Sequence, residues 1–188
     1  MDIIEEKKAL RRIALARRDA LPEQERAEGS LALCRALEEL EELREARIVL
    51  GFLPIGSECD LRALYDALRA RDVVLAFPVA DRGGRMEAYV PCGELITGRF
   101  GIPQPDPACS RLLAPEALDA VLIPCVGFDG RLARLGYGGG YYDRFLRRSP
   151  RAAAILTAFE TQRLEHIPCE EHDLVFSLLA TERGILRL

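Results

Sequence analysis

The chain has 188 residues, of which 49% are hydrophobic and 30% charged, and its formal net charge is −4. That balance excludes a disordered chain, and a pI near 5.4 argues against a general binder of nucleic-acid backbone, whose footprint is a basic excess. A domain of this size buries roughly 70% of the surface of its unfolded chain, so it forms a core without disulfides or structural metal.

From Ile3 to about Arg18 the apolar residues Ile3, Leu10, Ile13 and Ala14 recur at helical spacing. Pro22 and Glu23 open a second helix that runs to about Leu43, so the chain begins with a helical pair. Then the period changes. Arg47 to Leu53 and Val73 to Val79 are short β-rich runs, and between them lies a helical stretch, Leu61 to Ala70, capped by Asp60; together they make a βαβ unit. Further strands are predicted at Met86 to Val90, Ala120 to Val126, Ala152 to Phe159 and Leu178 to Thr181, whereas the Pro-rich run Phe100 to Pro107 is a loop that cannot be a central strand. Strands alternating with helices predict an α/β three-layer sandwich, with a mostly parallel central sheet, flanking helices and the N-terminal helical pair. Residues 1–188 show no repeat, low-complexity tract or linker and read as one domain.

Six cysteines, Cys34, Cys59, Cys92, Cys109, Cys125 and Cys169, are scattered without a C-x-x-C pair, and only His166 and His172 are present to assist. This is neither a zinc spacing nor a disulfide framework, so they read as reduced thiols, mostly packing, and neither histidine receives a role. The first residues are charged where a signal peptide would be apolar, and the longest apolar stretch, Ala120 to Phe128, is too short to span a bilayer. The expected location is the cytoplasm, with no membrane partner. Arg11-Arg12, Arg17-Arg18 and Arg147-Arg148 interleave with acidic pairs such as Glu5-Glu6 and Glu38-Glu39 and read as solvated helix faces, with no nucleic-acid partner.

Chemistry concentrates in Arg134-Leu135-Gly136-Tyr137-Gly138-Gly139-Gly140-Tyr141-Tyr142-Asp143, which follows the apolar strand and leads into a helical pattern, Tyr141 to Arg147. A strand, a glycine-rich turn and a helix start together form an anion cradle, because side-chain-free backbone lets phosphate approach N–H groups at the positive end of the helix dipole. The string matches neither the Walker pattern nor G-x-G-x-x-G, since Tyr141 stands where the third glycine belongs.

As a whole the string resembles the signature of the 5-formyltetrahydrofolate cyclo-ligase family, close to R-L-G-x-G-G/K-G-Y-Y-D, preceded by a strand ending in Pro124 and by Phe128-Asp129. Supporting similarities are Lys7 with Arg11, Glu58 after the first strand, the loop Ile102 to Pro105, and Glu160, Gln162, Pro168 and Asp173. Two departures stand out. Gly139 occupies a place where some relatives carry lysine, and the usual glycine before R-L-G is displaced, with Gly130 early and Leu132-Ala133 filling the gap.

The resemblance implies ATP- and magnesium-dependent ring closure of 5-formyltetrahydrofolate to 5,10-methenyltetrahydrofolate, with release of ADP and phosphate. Such chemistry aligns two small molecules and neutralises a moving phosphoryl group, so it requires no covalent nucleophile. It implies ATP contacts at Lys7, Arg11, Arg134, Leu135, Gly136, Tyr137, Gly138, Gly139, Gly140, Tyr141 and Tyr142, with Arg134 and Lys7 as the catalytic cations. The folate side comprises Leu53, Glu58 and the segment Tyr137, Gly138, Gly139, Gly140 and Tyr141. Asp143 and Asp173 are the implied magnesium ligands; without the resemblance, Asp143 is an ordinary helix-start acid and Asp173 a turn acid. Both substrates are small molecules, and the chain is expected to act as a monomer. A non-catalytic nucleotide or folate sensor on the same fold is the alternative, because fold alone does not fix function.

Overall fold

The computed structural model describes residues 2–81, 83–98, 101–170 and 173–188. Phe100, at the head of the predicted Pro-rich loop, and His172 lie outside the described residues. Helices α1 (Ile3–Asp19), α2 (Glu23–Glu38) and α3 (Glu41–Arg44) precede strand β1 (Ile48–Leu50), helix α4 (Arg62–Ala70) and strand β2 (Val74–Ala80). Strands β3 (Met86–Val90), β4 (Ile96–Thr97), β5 (Pro103–Gln104), β6 (Arg111–Leu113) and β7 (Ala120–Pro124) follow. The chain ends with β8 (Gly127–Phe128), β9 (Arg134–Leu135), α5 (Tyr141–Leu146), β10 (Ala153–Thr157), β11 (Leu178–Thr181) and β12 (Gly184–Arg187).

The main sheet has the order β12-β11-β10-β7-β1-β2-β3-β6. Its five central strands are parallel, and β12, β3 and β6 run antiparallel to their neighbours at the two sides. The central strands are buried on both faces, which is why they read as continuous apolar runs. Val49, Leu75, Leu122 and Ile155 turn to one side, against Leu33 and Leu37 of α2 and Leu64 and Leu68 of α4. Leu50, Ala76, Ile123 and Leu156 turn to the other, with Phe145 and Leu146 of α5. The predicted three-layer arrangement with its N-terminal helical pair is the one observed. Among the described residues no helix is long and apolar enough to cross a membrane.

Several boundaries differ. The second helix ends at Glu38 instead of continuing to Leu43, and the break at Glu39 and Leu40 brings Leu37, Leu40 and Leu43 together into the core. Strands β6 and β12 escaped prediction, being short edge strands whose pairing rather than composition defines them. Among its described residues the Pro-rich run contributes only β5, paired with β4 in a separate two-stranded sheet. Asp60, expected as the cap of α4, lies one residue before it: the N-cap is Leu61, which makes no side-chain capping bond, although Asp60 accepts the N–H of Arg62 at 3.0 Å.

Helix α1 does not lie on the sheet. Leu10, Ala14 and Leu15 pack against Val126, Ala133, Leu135, Leu164 and Ile167, so α1 crosses the carboxyl ends of the strands. Its inward stripe is Ile3, Lys7, Leu10, Arg11, Ala14 and Arg18, whereas Ile13, expected inside, is 42% exposed. The stripe carries cations because the helix faces a polar crevice rather than the core.

The strand order reverses direction at β1: the chain leaves it for β2 on one side and returns to β7 on the other. This is a topological switch point, where loops diverge and leave a crevice at the carboxyl ends of the strands. The loop after β1 starts at Gly51, where an added Cβ would lie 2.8 Å from the ring and hydroxyl of Tyr65. That hydroxyl accepts from the N–H of Phe52 at 2.9 Å and donates to its carbonyl at 2.7 Å. Gly51→Ala therefore overpacks a fully buried ring, and a loss of about 1–3 kcal/mol is expected. Urea unfolding checks it: the midpoint falls while the slope stays constant.

Candidate active site

The crevice is lined by the loop after β1, the hairpin and turn after β7, and the inward stripe of α1. On the first of these, Glu58 is only 8% exposed. Its Oε2 accepts the N–H of Ile55 at 2.9 Å and its Oε1 accepts the hydroxyl of Tyr137 at 3.1 Å, with Arg18 Nη1 3.8 Å from Oε1. Burial pushes the Glu58 carboxyl above the ordinary glutamate value, against the pull of the Ile55 N–H, Arg18, Tyr137 and Arg134. Leu53 is half-buried on the same loop and packs against the core beneath.

The second wall begins with the β8–β9 hairpin. Asp129 is buried and accepts the N–H groups of Arg131, Ala133 and Ile167, so the Phe128-Asp129 pair serves the hairpin rather than a ligand. Leu132 holds φ +57°, the left-handed conformation that glycine adopts without cost, yet its side chain is fully buried. The apolar contact of Leu132 offsets the backbone strain where the family pattern places glycine.

From this hairpin Arg134 reaches inward. Its Nε and Nη2 donate to the carbonyl of Pro124 at 3.3 and 3.2 Å, its Nη1 lies 3.7 Å from Asp143 Oδ1, and its guanidinium covers the ring of Tyr142. Leu135 is buried below. The turn itself needs glycine at Gly138 (φ +96°) and Gly140 (φ +63°), the latter as N-cap of the short helix α5. At Gly139 an added Cβ would come within 2.8 Å of the Tyr141 ring, so the lysine of some relatives would require that ring to move. Arg144 ties the turn to the β2–β3 hairpin by donating to the carbonyls of Gly139 and Gly84 at 2.7 and 2.8 Å, and Tyr141 donates to Asp81 O at 3.3 Å.

Helix α1 supplies the third wall. Arg11 Nε donates to the carbonyl of Gly136 at 2.8 Å, which places its charge on the turn. Lys7 donates to Asp173 Oδ2 at 2.7 Å and to Glu170 Oε2 at 3.1 Å. Burial disfavours the charged ammonium, but these two carboxylates outweigh it and leave the Lys7 pKa raised. Arg18 is 3% exposed, which corrects the reading of Arg17-Arg18 as a solvated face; only Arg17 is exposed. The signal was available, because 7, 11, 14 and 18 repeat the helical period with three cations and an alanine.

The carboxylates suit a hard divalent cation, which takes oxygen ligands and keeps several waters. Asp143 has Arg134 as its ion-pair neighbour, beyond hydrogen-bond distance, and its side chain is one-third exposed. Asp173 differs: its Oδ2 is engaged by Lys7 and by the N–H of Glu170. Among the described residues no three His, Cys, Asp or Glu side chains are grouped to hold a metal. Of the cysteines, Cys34, Cys59 and Cys125 are buried and Cys92, Cys109 and Cys169 exposed, all as free thiols; burial pushes Cys125 up to about 12.

Comparison with known proteins places this arrangement. The model of the 5-formyltetrahydrofolate cyclo-ligase family matches residues 3–182. A 5-formyltetrahydrofolate cyclo-ligase from Mycolicibacterium smegmatis is 32% identical over 191 residues, covering 97% of each chain. Its counterpart from Escherichia coli K12 is 30% identical, covering 88% of this chain and 93% of its own. The NMR structure of Aquifex aeolicus 5,10-methenyltetrahydrofolate synthetase superposes with a TM-score of 0.83 at 32% identity, over 97% of this chain and 92% of that one. A Mycoplasma pneumoniae 5,10-methenyltetrahydrofolate synthetase shares the fold at TM-score 0.77 and 22% identity, over 94% and 98% of the two chains. With a match that spans nearly every element from α1 to β11, including the glycine turn and the cationic stripe that meets it, the chain belongs to the 5-formyltetrahydrofolate cyclo-ligase family.

Proposed function

We propose that the chain is a single-domain, monomeric, cytoplasmic enzyme that converts 5-formyltetrahydrofolate to 5,10-methenyltetrahydrofolate at the expense of ATP, with magnesium, releasing ADP and phosphate. One observation carries the reading: at the switch point the glycine turn is held by Arg11 of α1 on one side and by Glu58 through Tyr137 on the other, with Arg134 beside Asp143 and Lys7 one helical turn before Arg11. A cationic, glycine-lined wall suits phosphates, and a buried carboxylate on the opposite loop suits the N–H groups of a pterin.

The formyl oxygen of the folate attacks the γ-phosphorus of ATP and ADP departs, leaving that oxygen phosphorylated and its carbon an electrophilic N5-iminium centre. The N10 amine then closes on that carbon, the N10 proton is lost and phosphate leaves with the former formyl oxygen. Arg134 faces the transferring group and Arg11 holds the turn that cradles the phosphates. Lys7 exchanges one of its carboxylates for a phosphate oxygen. Glu58 and Leu53 orient the pterin, so that the two reacting molecules meet in line. Asp143, with Asp173 as a second ligand, would hold the magnesium, which when bound neutralises charge on the phosphate oxygens.

The test is the near-ultraviolet absorbance of the methenyl product. It should rise only when ATP and magnesium are both present; binding of both substrates without turnover would support the sensor reading instead. Lys7→Ala is expected to raise KM for ATP by roughly tenfold or more, the worth of a hydrogen bond to a charged group, with little change in KM for the folate. A folate KM that rises instead would mean that the two pockets are exchanged.

A further inference from the structure

We propose that Arg18 is a further substrate-binding residue: with Glu58 it forms a donor–acceptor pair for the lactam edge of a pterin, and the hydroxyl of Tyr137 holds that place in the free protein. The inference rests on the reading of the activity given above and adds to it a residue that the family motifs leave out.

Arg18 Nε donates to Ser57 Oγ at 2.9 Å and Nη2 donates to the Tyr137 hydroxyl at 3.3 Å, while Ser57 donates in turn to Asp19. Nη1 is buried and has no hydrogen-bond partner among the described residues, standing 3.8 Å from Glu58 Oε1. A buried donor left unpaired is costly, and such groups concentrate where a ligand completes the set. Arg18 belongs to the same stripe of α1 as Lys7 and Arg11 and meets the loop of Ser57 and Glu58.

Charge decides what kind of acceptor belongs there. Arg18 and Glu58 already balance one another, so a phosphate or carboxylate at Nη1 would be forced against the Glu58 carboxylate in a low-dielectric site. The complementary group is a neutral acceptor beside a donor, which accepts from Arg18 and donates to Glu58. A pterin presents this as its 4-oxo oxygen and the adjacent N3–H.

Tyr137 makes the same pattern with one atom: its hydroxyl accepts from Arg18 Nη2 and donates to Glu58 Oε1 at 3.1 Å. The residue is nonetheless 54% exposed, and it lies between Gly136 and Gly138, where φ is +96°. Rotation of Tyr137 outward uncovers the Arg18–Glu58 pair without disturbing the core, and the lactam replaces the hydroxyl.

Binding of 5-formyltetrahydrofolate to the full chain, measured by calorimetry without ATP, tests this with wild type, Arg18→Met, Arg18→Lys and Tyr137→Phe. Arg18→Met is expected to weaken binding roughly tenfold or more, with KM for ATP within about twofold of wild type, and Arg18→Lys to recover only part because it lacks the planar fork. Tyr137→Phe keeps the ring and removes the competing hydroxyl, so it should bind several-fold tighter. Wild-type affinity in Arg18→Met, or unchanged or weakened affinity in Tyr137→Phe, overturns the proposal. Where Arg18→Met fails to fold, judged by circular dichroism, the sign of the Tyr137→Phe effect decides. A wild-type chain that neither binds the folate nor turns it over brings down the reading of the activity itself, and the inference with it.

Discussion

Arg134→Ala is expected to lower kcat by about 10³-fold, the loss found when a preorganised cation facing a transferring phosphoryl group is removed. The side chain is pinned by the Pro124 carbonyl and stacked over Tyr142, so its charge is already in position before substrates arrive. KM for both substrates should change far less than kcat, because a cation preorganised for developing charge acts in the transition state rather than in the ground state. Arg134→Lys should recover little, since an ammonium cannot donate to Pro124 and face Asp143 with the same rigid fork. A variant with kcat within a few-fold of wild type would place the phosphoryl transfer elsewhere.

The second large effect is expected at Asp143. Asp143→Ala should lower turnover by about 10²-fold at ordinary magnesium, with partial recovery as magnesium is raised. The rescue separates two roles. If Asp143 serves only to hold Arg134 at 3.7 Å, added magnesium restores nothing. Asp143→Asn sharpens the comparison, because it keeps an oxygen ligand while removing the charge that faces Arg134. Titration of activity against magnesium for the three proteins reads the answer directly, and an unchanged rate in Asp143→Ala would put the cation at another carboxylate.

How much of this was legible beforehand follows the range of each interaction. The Arg134 to Asp143 string was legible because the steric demands of Gly138 and Gly140 and the start of α5 are local. The strands were legible because β1, β2, β7 and β10 are buried on both faces and so read as apolar runs, whereas β12 and β6 exist only through their partners. The helix α1 is legible in the sequence, but its inward face is not. Ile13 looked internal and Arg18 looked solvated, because apolar periodicity assumes that the buried side of a helix meets an apolar layer. Here it meets the open ends of strands. Likewise the burial of Glu58 had no local signal: its partners Tyr137 and Arg18 come from chain segments 79 and 40 residues away in opposite directions.

By itself the sequence determined the alternation of layers, the glycine turn and the spacing of Lys7 and Arg11, since each depends on backbone sterics and on side-chain period within one element. Only the tertiary structure decided that β1 and β7 are neighbours whose chains leave in opposite directions, and hence that the loop of Glu58 faces the turn of Tyr137. It also decided that Lys7 is held by Asp173, a residue 166 positions away, and that Arg18 is enclosed by the loop after β1 and Tyr137. The reason is physical: strand order and helix orientation are set by the burial of surfaces distant in the chain, and no local preference encodes which carboxyl ends will share a crevice.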